Sequence, residues 1–170
     1  KLDPISISKV YYDKEEMMEL KKKDETYNWL RKKNRLYEDQ LNHLRKYKVT
    51  FQNQLSICFP GYLDLFKDGY SDIPMTILKK YPHPDLLKNK KAETVARYLE
   101  KNTCHTHKVS LEYALKIIEF AKKTYPGCEK DDVEVEIFKI LLDKVIETQR
   151  ECEKTLNEMI TVASTLEEYR

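Results

Sequence analysis

Two long heptad runs, one near each end of the chain, constrain this sequence more than any other feature. The first passes through Leu30, Asn34, Tyr37, Leu41, Leu44, Lys48, Phe51, Leu55 and Cys58 in alternating steps of 4 and 3. The second passes through Phe138, Leu142, Val145, Gln149, Cys152, Leu156, Met159, Ala163 and Leu166 with the same alternation. A 3.5-residue repeat held over about four heptads describes a helix that buries a narrow seam against another helix. The predicted seam residues are Leu30, Tyr37, Leu41, Leu44, Phe51, Leu55, Phe138, Leu142, Val145, Leu156, Met159 and Leu166. Asn34, Lys48 and Gln149 interrupt it; polar residues at such positions weaken a seam but fix its register.

The rest of the composition agrees with helix. Only three glycines occur, at Gly61, Gly69 and Gly127, while 35% of residues are charged. The expected fold class is all-α: two long coiled-coil helices flanking a small bundle of short helices. No apolar run approaches the roughly 18 residues of a membrane span. No membrane partner is therefore expected, and the expected location is cytoplasmic. Cys58, Cys104, Cys128 and Cys152 form no Cys-x-x-Cys pair and are expected to be reduced. A chain that opens on Lys1 rather than Met is expected to belong to a longer protein.

Punctuation along the chain divides it further. Asp3-Pro4 is a good helix start and predicts a short helix to about Tyr12. Residues 13–23 read as a charged connection. The first long helix is predicted over 24–59 and ends at Phe59-Pro60-Gly61. Residues 60–130 read as an insert of short helices over about 72–80, 84–89, 91–102 and 109–124, with Ser110 capping the last. The second long helix, 131–170, starts at Asp131 or Asp132 and runs to the chain end, a length of roughly 60 Å. Formal charge is +4 over residues 1–59, +4 over 60–130 and −6 over 131–170. The acidic last helix is a plausible partner for the basic first one, although two solvated faces would give the same numbers.

Basic residues interleaved with aromatics are the main candidate binding feature. Arg31, Lys32, Lys33, Arg35 and Arg45 lie on the first long helix near Tyr27, Trp29 and Tyr37. Lys79 and Lys80 lead a second cluster around Tyr81-Pro82-His83-Pro84. Such patches suit phosphate neutralisation. Cys104, His105 and His107 offer zinc-type ligands but lack a usefully spaced fourth, so a polar loop is the preferred reading there. There is no glycine-rich phosphate loop and no Gly-x-Ser-x-Gly.

Several pieces, in order, resemble the DEDD-type insertion-sequence transposases, whose relatives include the pilin-gene invertase and bridge-RNA-guided recombinases. Lys1-Leu2-Asp3-Pro4-Ile5-Ser6-Ile7-Ser8 resembles the end of that family's RuvC-like nuclease domain, an Asp-Lys-x-Asp motif lacking its first aspartate. Pro4 departs from the usual small residue. The helix from Arg31 to Leu55 runs into Cys58-Phe59-Pro60-Gly61. Leu78-Lys79-Lys80-Tyr81-Pro82-His83-Pro84 matches a Leu-Lys-x-Tyr-Pro-x-Pro element, and a long helix follows.

The resemblance implies that residues 1–23 close the nuclease domain. It also makes Asp3 a catalytic residue and a metal ligand, the last of four carboxylates that hold Mg²⁺ in the full-length parent. The other three acidic residues and the family's serine are not in this chain, so the fragment alone is expected to be inactive. The partners implied are DNA, a structured guide RNA and further copies of the chain, as a dimer or tetramer. The rival reading is a coiled-coil dimerisation module without nucleic-acid binding. On the seam reading, Leu41→Asp and Leu156→Asp each put a charge in an apolar contact. Both are expected to lower the melting temperature.

Overall fold

The computed structural model describes the backbone of residues 14–166 and the side chains of residues 25–166. Among them it is all-helical, with α1 at Lys14–Cys58, α2 at Asp72–Lys80, α3 at Asp85–Lys88, α4 at Ala92–Asn102, α5 at His107–Lys123 and α6 at Val133–Ala163. One 3₁₀ turn, Leu63–Leu65, follows α1. The chain divides into two compact units. One is formed by residues up to Asn42 together with those from Arg150 onward, the other by His43–Gln149.

Helix α1 starts ten residues earlier than its sequence pattern suggests, at Lys14. The stretch expected to be a connection is built of Lys, Glu, Met and Leu, all strong helix formers without a breaker. Its end is as expected. The Phe59 N–H makes a last bond to the Leu55 carbonyl at 2.7 Å, Pro60 has no N–H to continue the ladder, and Gly61 turns the chain at φ +73°. A Cβ at Gly61 would sit 3.2 Å from the Phe120 ring, so both conformation and space favour glycine.

The second unit contains the main core. Fully buried Phe51 of α1 stacks on fully buried Phe138 of α6, with ring centroids 5.3 Å apart. On either side of it, Lys144 lies 5.6 Å from the Tyr47 ring and the Gln54 amide donates to the Glu134 carbonyl at 3.0 Å. Partners fall in number on α6 as they rise on α1, so within this unit the two helices run antiparallel.

The short helices bury apolar faces around this contact: Ile73, Met75, Ile77 and Leu78 of α2, Val95, Ala96 and Leu99 of α4, and Ala114, Ile117, Ile118 and Ala121 of α5. Helix α5 packs on α4 and α3. Alanines at Ala96, Ala114 and Ala121 suit close backbone approach. Aromatic contacts link the turn after α1 to α5. Phe59 meets Tyr62 and Phe120 at 4.9 and 6.1 Å, Tyr62 meets Phe66 at 5.2 Å, and Phe66 meets Tyr113 at 5.8 Å. The buried Tyr62 hydroxyl donates to the Pro74 carbonyl at 2.9 Å, and burial holds that phenol well above its usual pKa.

Two boundaries differ from the sequence expectation, the start of α5 and the end of α6. Thr106, not Ser110, is the N-cap of α5. Ser110 sits one turn inside and fully buried, its hydroxyl without a protein partner. The helix starts earlier because His107 and Lys108 continue it with no breaker before them. Helix α6 begins at Val133 behind Asp132, whose carboxylate accepts the Glu134 N–H at 3.4 Å, an N-cap contact. It ends at Ala163, where Ser164, Thr165 and Leu166 close a turn. The predicted seam residue Leu166 therefore lies beyond the helix. The short helix predicted before Tyr12 lies outside the described residues.

In the first unit, Leu30, Lys33, Tyr37 and Leu41 of α1 are half-buried, as are Met159 and Val162 of α6, whereas Cys152, Thr155 and Ala163 are buried. Two expected seam positions are displaced. Asn34 is exposed and donates to Glu38 at 3.0 Å, while Lys33 takes the inner place. Leu156 is 37% exposed and Thr155 is covered instead. Adjacent helical positions are about 100° apart around the axis, and the Thr155 side is the more fully covered.

The same helix thus carries a covered and an open leucine. Leu142→Ala, which empties a fully buried position, should lower the unfolding free energy by about 3 kcal/mol. Leu156→Ala should change it by less than about 1 kcal/mol. Urea denaturation of the two variants checks both, and equal losses would show that Leu156 is a core residue after all.

Candidate nucleic-acid interface

In the first unit, α1 exposes Arg31, Lys32 and Arg35. Arg31 and Arg35, four residues apart, share one helical face. Lys33 does not join them. It turns inward, donates to the Glu158 carboxylate at 2.6 Å and lies 5.4 Å from the Trp29 ring centroid. The Lys33 hydrogen bond holds Glu158 below the usual carboxylate range. Trp29 also borders an open groove lined by Arg150, Lys154, Glu158 and Val162, where mixed charges favour no single ligand sign.

In the second unit, Arg45 is exposed on α1, and Lys79 and Lys80 occupy the last turn of α2. Cations there are favoured by the helix dipole whatever else they do. The Lys80 ammonium stands 4.1 Å from the Tyr98 ring and 5.6 Å from that of Tyr81, and the two rings meet edge-on at 6.2 Å. Burial raises the Tyr98 phenol pKa, with Tyr81 adding to it. Residues 79–101 hold seven basic and three acidic side chains. Two of the basic ones have partners on their own helix: Lys88 meets Asp85 at 2.7 Å and Arg97 meets Glu93 at 3.1 Å. Lys48, a polar seam position, places its ammonium 4.0 Å from the Tyr70 ring, a cation–π contact that admits a lysine beside the core.

The sequence gives no local signal for Tyr98 or Tyr70 as platforms for these lysines, because each pair is about twenty residues apart and meets only through folding. His83 was equally silent. It is fully buried between two prolines. Its Nε2 donates to the Cys128 carbonyl at 3.0 Å and its Nδ1 accepts the Asp85 N–H at 3.3 Å. These two bonds tie the segment before α3 to the one before α6.

Cys104 and His105 are exposed. His107 turns to Glu100 at 3.1 Å and Glu93 at 3.5 Å. Among the described residues no group of three or more His, Cys, Asp or Glu side chains is arranged to hold a metal ion. Asp3, the residue that the transposase resemblance makes catalytic and metal-binding, lies outside the described residues. No described helix is long and apolar enough to cross a membrane. No protein-family model, curated protein or solved structure matches this chain.

The Lys33–Glu158 pair has a defined pH signature. Glu158 has a lowered folded pKa, so its contribution is present above the ordinary glutamate value of 4.5 and is lost as pH falls through the lowered one. Lys33→Met should therefore be less stable than wild type at neutral pH in low salt, and the gap should close below pH 4.5. Thermal melts across that range check it; a constant gap would mean that the loss is one of packing.

Proposed function

We propose that this chain is the central helical region of a DEDD-type insertion-sequence transposase or site-specific recombinase, serving DNA transposition. Its role there is to hold copies of the protein together and to contact nucleic acid. The observation that carries this reading is the set of exposed cations on α1: Arg31, Lys32 and Arg35 face outward while the one neighbouring lysine that turns inward already has a carboxylate. Lysine and arginine in such a row neutralise backbone phosphates without reading bases. Duplex DNA is the expected ligand, with a structured guide RNA as a further one. The order of the Phe-Pro and Tyr-Pro-x-Pro elements supports the family. In the parent, Asp3 would contribute to a Mg²⁺ site completed by carboxylates from elsewhere; the fragment itself is not proposed to cut or join DNA.

Partial coverage of the first unit supports the pairing role. Its apolar stripes are mostly half-buried, and Leu36 and Ile160 are 45% and 53% exposed. Large apolar side chains left open along a helix suit a second copy as cover. That observation also fits the rival reading, a coiled-coil dimerisation module with no nucleic-acid role.

Binding to labelled duplex DNA and to a structured RNA, measured from low to moderate salt, tests the proposal. Wild type should bind with a steep log–log salt dependence. The combined Arg31→Gln, Lys32→Gln and Arg35→Gln variant should weaken binding and lower the slope by about 2 to 3, whereas Lys33→Gln should leave the slope unchanged. Absence of binding at low salt, with dimers persisting by light scattering, would favour the dimerisation module.

A further inference from the structure

Two free thiols from opposite ends of the insert meet in the second unit. Cys58, the last residue of α1, is fully buried, and Cys128, in the segment before α6, is half-buried. Their sulfur atoms are 3.8 Å apart although 70 residues separate them in sequence. The backbones on which they sit are already joined. The Gly127 N–H donates to the Ile57 carbonyl at 2.8 Å, so the residues immediately before both cysteines are bonded to each other. On the far side, His83 holds the Cys128 carbonyl at 3.0 Å. The Cys58 thiol points to the Glu134 carbonyl at 3.6 Å.

We propose that Cys58 and Cys128 are a redox-sensitive pair that closes to an intramolecular disulfide, stapling the end of α1 to the segment that leads into α6. Sulfurs at 3.8 Å need to approach to about 2.05 Å, a displacement within reach of side-chain rotation at the half-exposed Cys128. The oxidant is a small-molecule disulfide of the glutathione class. Deprotonated Cys128 attacks one of its sulfurs, forming a mixed disulfide and expelling one thiolate. Cys58 then loses its proton and attacks the Cys128 sulfur, expelling the second. Two protein thiols give up two electrons, the small disulfide accepts them, and two small thiols leave.

The order follows from access, because only Cys128 meets solvent. Burial pushes the Cys58 thiol up to about 12, with Cys128 adding to it, and burial raises Cys128 as well. Both thiols are therefore slow at neutral pH, and the pair rests reduced until it meets an oxidising poise. Cys104, although exposed, has no such neighbour among the four cysteines, and Cys152 lies in the other unit.

The test is to equilibrate the full chain with oxidised glutathione, trap remaining thiols by alkylation and map the peptides by mass. A Cys58–Cys128 linked peptide is expected, with the mass of two hydrogen atoms lost from the chain. The melting temperature should rise by on the order of 10 °C and return to its starting value with dithiothreitol. Cys128→Ala, at a half-exposed position, should melt close to the reduced wild type and show no oxidation-dependent rise. Mapping that finds glutathione on Cys128 with Cys58 still free, or disulfides only through Cys104, would overturn the proposal. So would a rise that survives in Cys128→Ala.

Discussion

The stack of Phe51 on Phe138 is the contact on which the second unit depends. Both rings are fully buried, one from each long helix, and aromatic pairs of this kind contribute beyond the area they bury. Fixing that contact sets the distance and direction of α1 and α6 in this unit. It leaves a defined space for the five elements between them. Phe59, Tyr62, Phe66, Phe120 and Tyr113 form a further series of ring contacts from the turn after α1 to α5, beside the packing of α5 on α4 and α3. Helices of four to seventeen residues gain most of their stability from such packing, because isolated helices this short are marginal in water.

The two units contrast in how fully they cover their apolar residues. The second encloses large side chains such as Tyr62, Phe59, Leu87 and Ile117 completely. The first buries mainly small residues, Cys152, Thr155 and Ala163, and leaves its leucines half-covered. A pair of helices alone has too little surface to enclose both stripes. Residual apolar edges beside exposed arginines are the physical basis of the proposed role, in which a second copy covers the edges and phosphates meet the cations. Lys33 shows how narrow the distinction is. One helical position separates it from the exposed Lys32, yet it is committed to Glu158.

The segments that join the helices are held by hydrogen bonds as well as by apolar packing. His83 satisfies both ring nitrogens against backbone, and the Gly127 amide closes on the end of α1. Together they place the Cys58 and Cys128 sulfurs side by side. A thiol pair so positioned adds a chemical lever to a contact that hydrogen bonds already define.

Much of the helical architecture was legible in the residues. The all-α class, the Phe59-Pro60-Gly61 stop, the Asp132 cap and the ranges of α2 and α4 all rest on near-neighbour chemistry: propensity, capping and the missing proline N–H. Only the tertiary structure decided which of two adjacent residues is covered, Thr155 or Leu156, Lys33 or Asn34. It also decided that Ser110 is interior rather than capping, that Lys80 rests on Tyr98, and that Cys128 meets Cys58. A helical period fixes direction only to within about one residue, and burial is settled by atoms that arrive from elsewhere in the chain. The sequence by itself therefore determined where this protein is helical, and the packing of distant segments determined which side chains remain available for chemistry.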